Sequence, residues 1–297
     1  MLDDKSHFED ISLLLKSKKN DTRIALSKRY PHFKNIILHI RYIKKYIENF
    51  KKYPLSSLKS PLLTYTLTRH QSVLRRKLGD SDPRLQEQKI INIALSVNKL
   101  NGLVINPGET FSFWHVIGRP TVSRGFVGGM LLSDGKIVEG IGGGMCQMSN
   151  FLYWMFLHSD LTIIERHHHS RDVFPDSGRI LPFGSGATIM YNFVDLQVKN
   201  TTRSPIQIHL WLTATHLKGQ LRCDSRSDKK YHVYQKKHCF VKYEDEWYRF
   251  NEIWRDISVN GEIILQERVT CNFAPVLYQI TENYLKENSF DVINIEK

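Results

Sequence analysis

The chain has 297 residues, of which 41% are hydrophobic and 24% charged, and this is the composition of an ordinary globular protein that can bury a full core. Its four cysteines are too few and too scattered for a disulfide framework, and none forms the CxxC pair of a structural zinc ribbon. The formal net charge is +12, and residues 1–60 hold +8 of it, with 14 Lys and Arg against 6 Asp and Glu. This basic end indicates an anionic neighbour, or else a solvated charged face.

The first twenty residues carry acids where a secretion signal carries bases, and no apolar run approaches the ~20 residues that cross a bilayer. We therefore expect neither an export signal nor a membrane span, and a cytoplasmic protein. Few aromatic side chains lie among the basic ones, and no nucleic-acid-binding motif is recognisable. We therefore expect no nucleic-acid partner.

Residues 32–50, HFKNIILHIRYIKKYIENF, have a clear helical period between Pro31 and Pro54. Their apolar side chains form one stripe, with basic side chains off it. The stripe consists of Phe33, Ile36, Ile37, Ile40, Ile43, Ile47 and Phe50. A basic amphipathic helix of this kind is typical of salt-sensitive attachment to an anionic surface, and we expect it at the inner face of the membrane. Burial of the stripe in the protein's own core is the competing interpretation.

The next helix is predicted from Arg84 to Leu100, because Asp82-Pro83 reads as an N-cap with proline in the first turn and Gly102 as the stop. In INPGETFSFW, Pro107-Gly108 indicates a turn into a short strand. Short strands and loops are expected from there to about residue 140.

The stretch EGIGGGMCQMSNF, residues 139–151, leads into a run that is apolar nearly all round and predicts a buried helix. Glycines let another backbone or a substrate come close. Cys146 falls on the first turn, where amide N–H groups and the helix dipole favour the thiolate and can hold an oxyanion. A loop, a cysteine, a buried helix and a strand ending in histidine is the chain order of papain-like and transglutaminase-like cysteine hydrolases.

Residues 161–165, LTIIE, predict a buried strand that delivers Arg166 and three histidines. Alternation sends His167 and His169 to one side and His168 to the other, so either of the first pair can face Cys146. Two alternatives stay open. Cys146 is a packed small hydrophobe beside a polar histidine loop, or else Cys146, His167 and His169 ligate a metal ion.

Strands are predicted over residues 187–200 and 206–214, and from about residue 230 a strand meander turns at Asn260-Gly261. The fold class is α+β. We expect a basic helical region over residues 1–70, a mixed α+β core with the glycine-rich loop, cysteine and helix over residues 71–222, and C-terminal antiparallel strands over residues 223–297.

Five motifs, in order between residues 85 and 215, together resemble the VanW family. They are PGETFSFW (107–114), GGGMCQMSN (142–150), LTIIER with the following histidines (161–169), GATI (186–189) and DLQVKN (195–200). The resemblance implies a link to the cell envelope and glycopeptide resistance, without a defined reaction. It also implies functional roles for Cys146, Gln147, His169 and Asp195. Many members carry an acid where this chain has Gly186, which leaves Asp195 or Asp172 to orient a histidine.

Two functions follow as hypotheses. The first is a hydrolase or acyl transferase that uses Cys146 and His169, with Gln147 or backbone amides as oxyanion donors, on amide or ester bonds of peptidoglycan-precursor-like molecules. Its expected substrate-binding residues are Gly142, Gly143, Gly144, Glu109, Arg166 and His167. The second is a non-enzymatic module that binds a wall precursor or a partner resistance protein through the glycine loop. A metal-dependent hydrolase is the further alternative, and no other cofactor is expected.

Overall fold

The computed structural model describes residues 11–15, 31–52, 55–75, 82–133, 136–176 and 180–295. The helices are α1 (Lys34–Lys52), α2 (Pro83–Leu100), α3 (Phe113–Ile117), α4 (Met145–Leu157) and α5 (Glu282–Glu287), and residues 11–15 are helical as well. Short 3-10 turns lie at Pro31–Phe33 and Val122–Arg124. The strands are β1 (Tyr65–Val73), β2 (Val104–Ile105), β3 (Thr110–Ser112), β4 (Gly128–Ser133), β5 (Lys136–Ile141), β6 (Leu161–Glu165), β7 (Gln197–Asn200), β8 (Ile206–Leu212), β9 (His216–Cys223), β10 (Lys229–Tyr243), β11 (Glu246–Val259), β12 (Glu262–Pro275) and β13 (Asp291–Ile295).

These elements form an α+β fold, as predicted. One sheet has the order β1-β9-β8-β2, a second the order β3-β7-β6, and β4 and β5 pair as a hairpin. The C-terminal strands form a separate sheet of order β12-β11-β10-β13, in which β13 runs parallel to β10 while the other pairs are antiparallel. None of the helices in the described ranges is long and apolar enough to cross a membrane.

The central element of the core is α4, which touches α2, β1, β6 and β9. Its apolar side chains are buried around most of its circumference, including Phe151, Leu152, Met155 and Phe156. Each such side chain contributes about 1.5–3 kcal/mol by leaving water. This confirms the buried helix predicted after the glycine-rich stretch.

The structure also confirms the residues predicted to begin and end α2. The Asp82 side chain accepts a hydrogen bond from the Arg84 N–H, Pro83 is the first helical residue, and Gly102 follows the end of the helix with φ +83°. At the other predicted turn, Asn260 and Gly261 both have positive φ, as a tight hairpin between β11 and β12 requires.

The strand predicted over residues 187–200 is wrong for most of its length. Only Gln197–Asn200 forms a strand, and residues 191–193 turn, with Asn192 at φ 57° and Met190 paired to Val194. Asparagine tolerates this left-handed conformation because its short polar side chain bonds locally. The β-branched composition of the segment concealed the turn.

A second hydrophobic cluster lies on the C-terminal sheet and contains Cys239, Val241, Tyr248, Phe250 and Phe273, together with Ile11 and Leu15. Residues 11–15 therefore pack on the C-terminal strands, and the basic region predicted over residues 1–70 stays a prediction. Pro54 lies outside the described residues.

Arg249 of β11 ties the C-terminal sheet to the loop after the histidines. Its guanidinium is buried and binds Asp172, at 3.2 Å, and Asp176, while Tyr278 donates to the same Asp172 oxygen at 2.9 Å. The two carboxylates hold the pKa of Arg249 above its ordinary range against the opposing effect of burial. Asp172, a candidate for orienting a histidine, is engaged here instead.

We predict that Arg249→Met lowers the free energy of unfolding by about 3–5 kcal/mol, because it leaves the buried Asp172 without its cation. Urea unfolding followed by circular dichroism measures this loss. Lys286→Met is the control, because Lys286 pairs with Glu282 on the exposed surface and its loss should cost less than about 1 kcal/mol. Similar midpoints for the two variants would contradict the prediction.

Candidate functional site

Neighbouring segments pack closely against the glycine loop before α4. Gly142 and Gly144 have φ +79° and +87°, which side-chain-bearing residues rarely adopt. A Cβ on Gly143 would lie 2.0 Å from the backbone carbon of Gly129, and one on Gly144 would lie 1.9 Å from Cγ of Lys89. The glycines therefore let β4 and α2 approach the first turn of α4, and the space that they leave is occupied.

The amides of this loop are also occupied. Gly142 donates to the Val127 carbonyl at 3.0 Å, Gly143 to the Gly140 carbonyl at 3.0 Å, and Gly144 to the Met130 carbonyl at 2.8 Å. An anion would have to displace these bonds to be held by the loop. The geometry therefore gives Gly142, Gly143 and Gly144 a packing role, and their substrate-binding role stays a prediction.

Cys146 is half-buried at the second position of α4. The Thr188 hydroxyl and the N–H groups of Ile189 and Cys146 are placed so that they lower the pKa of the thiol. Burial nevertheless raises the pKa of the Cys146 thiol, and the three donors only partly oppose that rise. Burial thus favours the thiol, whereas the helix dipole favours the thiolate.

Two polar side chains of α4 hold residues 187–189 against the cysteine. The Ser149 hydroxyl donates to the Ala187 carbonyl at 2.6 Å, and Asn150 accepts from the Ala187 N–H at 2.7 Å. A Cβ at Gly186 would lie 2.5 Å from the same Asn150 oxygen, which accounts for a glycine there. The motifs GGGMCQMSN and GATI thus form one contact.

The histidines follow β6 and lie beside this contact. His167 forms an isolated antiparallel bridge with Thr188, whose N–H donates to the His167 carbonyl at 2.8 Å. The exposed His167 ring places Nε2 3.3 Å from Glu165 Oε1, so the imidazole binds Glu165. His169 is half-buried and His168 exposed. The structure brings the backbone of His167 to the cysteine site, and the Cys146–His169 pair stays a prediction.

Asp195 is buried and caps α3. Its carboxylate accepts from the Ser112 hydroxyl at 2.5 Å, the Trp114 N–H at 3.1 Å, the Leu196 N–H at 2.9 Å and the Gln197 amide at 3.0 Å. Burial raises the pKa of Asp195, and these donors oppose the rise. With its oxygens engaged in this way, Asp195 stabilises the β3–α3 junction, and its role at a histidine stays a prediction. The carboxylate that lies next to His167 is that of Glu165.

The remaining predicted residues have structural partners as well. The Gln147 amide donates to Ser72 Oγ at 2.9 Å and the Val73 carbonyl at 2.8 Å, so it joins α4 to β1. Arg166 donates to the carbonyls of Gly184 and Gly186 and to Thr270, and it stacks on Tyr153. Glu109 accepts from the N–H and side chain of Asn106 and closes its own turn.

Sequence reasoning missed Glu165 and Thr188. Glu165 stands two positions before His167, and alternation along a strand places such a pair on one face, so this signal was available. Thr188 had no signal outside the GATI motif. Among the described residues, His, Cys, Asp and Glu side chains form no group of three that could hold a metal ion, so Cys146, His167 and His169 are not assembled as a ligand set.

The comparisons with known proteins identify the family. A family model described as VanW like protein matches residues 88–222, the range that contains Cys146, the histidines and Asp195. The chain is 33% identical over 223 residues to the vancomycin B-type resistance protein VanW of Enterococcus faecalis, which covers 74% of this chain and 81% of that protein. The chain therefore belongs to the VanW family.

A second relative is the uncharacterized protein YoaR of Bacillus subtilis, 34% identical over 117 residues, which are 39% of this chain and 37% of that protein. No solved structure matches the chain.

We predict that iodoacetamide alkylates Cys146 slowly at pH 7 and faster as the pH rises, with no plateau until the pH exceeds the ordinary thiol pKa of about 8.5. Because the pKa is raised in the folded state, this thiol contributes stability below the unfolded pKa, and that contribution is lost as the pH rises through the folded pKa. Mass spectrometry of the Cys146 peptide measures the rate, with unfolded protein as the control. A fast, pH-independent rate between pH 6 and pH 7 would contradict a raised pKa.

Proposed function

We propose that this protein serves glycopeptide resistance by acyl transfer or hydrolysis at Cys146, acting on an amide or ester of a peptidoglycan-precursor-like molecule. The observation that carries the proposal is the contact between the first turn of α4, which holds the half-buried Cys146, and residues 187–189, which Ser149 and Asn150 fix against that helix. The Thr188 hydroxyl and the N–H groups of Ile189 and Cys146 favour the ionised sulfur. The similarity to the vancomycin B-type resistance protein supports the link to resistance.

The donors suit a sulfur nucleophile. When the sulfur carries negative charge, the Thr188 hydroxyl and the N–H groups of Ile189 and Cys146 stabilise it. When the sulfur has bonded to a carbonyl carbon, the negative charge moves to the adjacent oxygen, and we expect the same N–H groups to stabilise it. The Gln147 amide is bound to β1, so these backbone donors are preferred for the oxyanion.

Because the pKa of the Cys146 thiol is raised, the reaction needs a base that removes the thiol proton. A histidine of residues 167–169 removes the thiol proton as the sulfur attacks the carbonyl carbon. The carbon–nitrogen or carbon–oxygen bond then breaks, the leaving group takes that proton, and a thioester remains on Cys146. Water or an acceptor amine or hydroxyl attacks the thioester, and the thiol is restored.

His167 and His169 have different claims to the role of base. Glu165 binds Nε2 of His167 and so favours the tautomer whose Nδ1 can accept a proton. The His167 side chain is exposed, and its backbone bridges to Thr188 beside the sulfur. The family resemblance instead favours His169, which is half-buried.

We predict that Cys146→Ala and Cys146→Ser abolish the contribution of this chain to vancomycin resistance in a host that depends on it. Cys271→Ala is the matched control, because Cys271 is also half-buried but packs with the C-terminal cluster. Intact-protein mass spectrometry with a synthetic precursor amide or ester should detect an acyl adduct only where Cys146 is present. Full resistance with both Cys146 variants would exclude the nucleophile.

Single His167→Ala and His169→Ala variants identify the base, since removing a general base lowers the rate of adduct formation by roughly 10²–10⁴-fold. The base is the histidine whose replacement causes the large loss in the rate of adduct formation. Raising the pH should restore that rate. Equal and small effects of the two variants on the rate of adduct formation would show that neither histidine is the base.

A non-enzymatic module is the second candidate, and the raised pKa of Cys146 favours it, because a packed thiol needs no ionisation. The glycine loop is a poor place for its ligand, because the loop amides are bonded internally. Calorimetry with a D-alanyl-D-alanine peptide separates the candidates. Binding that Cys146→Ala leaves unchanged, with no turnover, is the result expected of a module.

A further inference from the structure

The helix α1 carries an exposed apolar face. Phe33, which immediately precedes it, and Ile36, Ile40, Ile43 and Ile47 are each between 45% and 60% exposed. Burial of the stripe in the protein's own core is therefore wrong for these residues. The side chain of Phe50 lies outside the described part of the chain.

The opposite face of α1 holds the helix to the protein. The Tyr42 ring packs at 5.8 Å from Tyr191 and 5.1 Å from Phe193, and the Tyr42 carbonyl accepts from Asn192 at 2.7 Å. Lys45 binds Glu165 at 2.5 Å. At 3.6 residues per turn, positions 42 and 45 lie across the helix from positions 36, 40, 43 and 47. Docking through Tyr42 and Lys45 therefore turns the apolar face away from the body of the protein.

The charge beside this apolar face indicates which kind of surface the face binds. Arg41 and Lys44 are exposed and lie on one side of the stripe, where Lys44 pairs with Glu48 at 3.9 Å, and the first 60 residues carry a net +8. A helix with an apolar stripe and basic flanks lies in the plane of a bilayer surface, with the stripe at the acyl boundary and the cations among anionic headgroups. We propose that α1 docks this protein on an anionic lipid bilayer through the face formed by Phe33, Ile36, Ile40, Ile43 and Ile47.

The docked helix lies next to the candidate site. Glu165 binds Lys45 of α1 with one oxygen and His167 with the other, at 3.3 Å. A bilayer under α1 would thus present lipid-linked molecules beside the cysteine site. This consequence rests on the proposed function, whereas membrane docking itself does not require Cys146.

The test is co-sedimentation of the full chain with vesicles of phosphatidylglycerol and phosphatidylcholine, compared with vesicles of phosphatidylcholine alone. We expect binding to the anionic vesicles at low ionic strength and clear weakening in salt, since the Debye length falls from about 30 Å at 0.01 M to about 3 Å at 1 M. Absence of binding to anionic vesicles at low salt overturns the proposal.

Paired substitutions locate the docking face. Ile40→Asp with Ile43→Asp should reduce vesicle binding by roughly tenfold or more, because each change removes an apolar contact and adds a repelled charge. The matched control is Ile263→Asp with Ile264→Asp, because these isoleucines are also 61% and 58% exposed but lie at the start of β12. Equal binding by the two double variants overturns the assignment to α1.

Two further measurements keep the outcomes separate. Arg41→Glu with Lys44→Glu should remove most of the salt-sensitive binding, and an unchanged salt dependence counts against the proposal. If sedimentation velocity reveals a dimer that only Ile40→Asp with Ile43→Asp dissolves, the face belongs to a second copy and membrane docking is overturned. Cys146→Ala should bind vesicles like the wild type, so failure of the nucleophile and failure of docking are distinguishable.

Discussion

The two hydrogen bonds between α4 and Ala187 determine the geometry around Cys146. Ser149 and Asn150 belong to a helix whose position is set by burial on nearly all sides, so their polar atoms are fixed in a setting with little water. A buried hydrogen bond is costly to leave unmade, which makes the partner segment as fixed as the helix. Thr188 and Ile189 reach the sulfur, and His167 pairs with Thr188, because Ala187 is held in this way.

At Cys146, burial and hydrogen bonding act in opposite directions on the thiol. A helix N-terminus and converging donors favour a thiolate, but removal from water disfavours any charge, and burial is the larger effect here. Under the proposed function, the thiol must therefore lose its proton to a base as the sulfur attacks, whereas a preformed thiolate would need no base.

The parts of the fold that the sequence predicted are those whose causes are local. The cap of α2, the hairpin turn at Asn260-Gly261 and the apolar helix after Cys146 each follow from residues within a few positions of one another. Three of the motifs quoted for the resemblance also contact one another around residues 187–189. Hydrogen-bond partners were not predictable in this way, because a buried carboxylate such as Asp195 takes the donors that the tertiary fold brings to it. For the same reason, the period of α1 identified its apolar face without indicating which face would touch the protein.

The contact between Gly129 and Gly143 joins the β4–β5 hairpin to the loop before α4 through bare backbone. A side chain at either position would push the two backbone segments apart. A change at the other position could not compensate, since a glycine has no side-chain atom to be removed. Evolution therefore cannot exchange size between these two positions as it does between facing residues in an ordinary core. The hairpin and the cysteine helix can diverge in sequence elsewhere, but at this point both must remain glycine for the junction to survive.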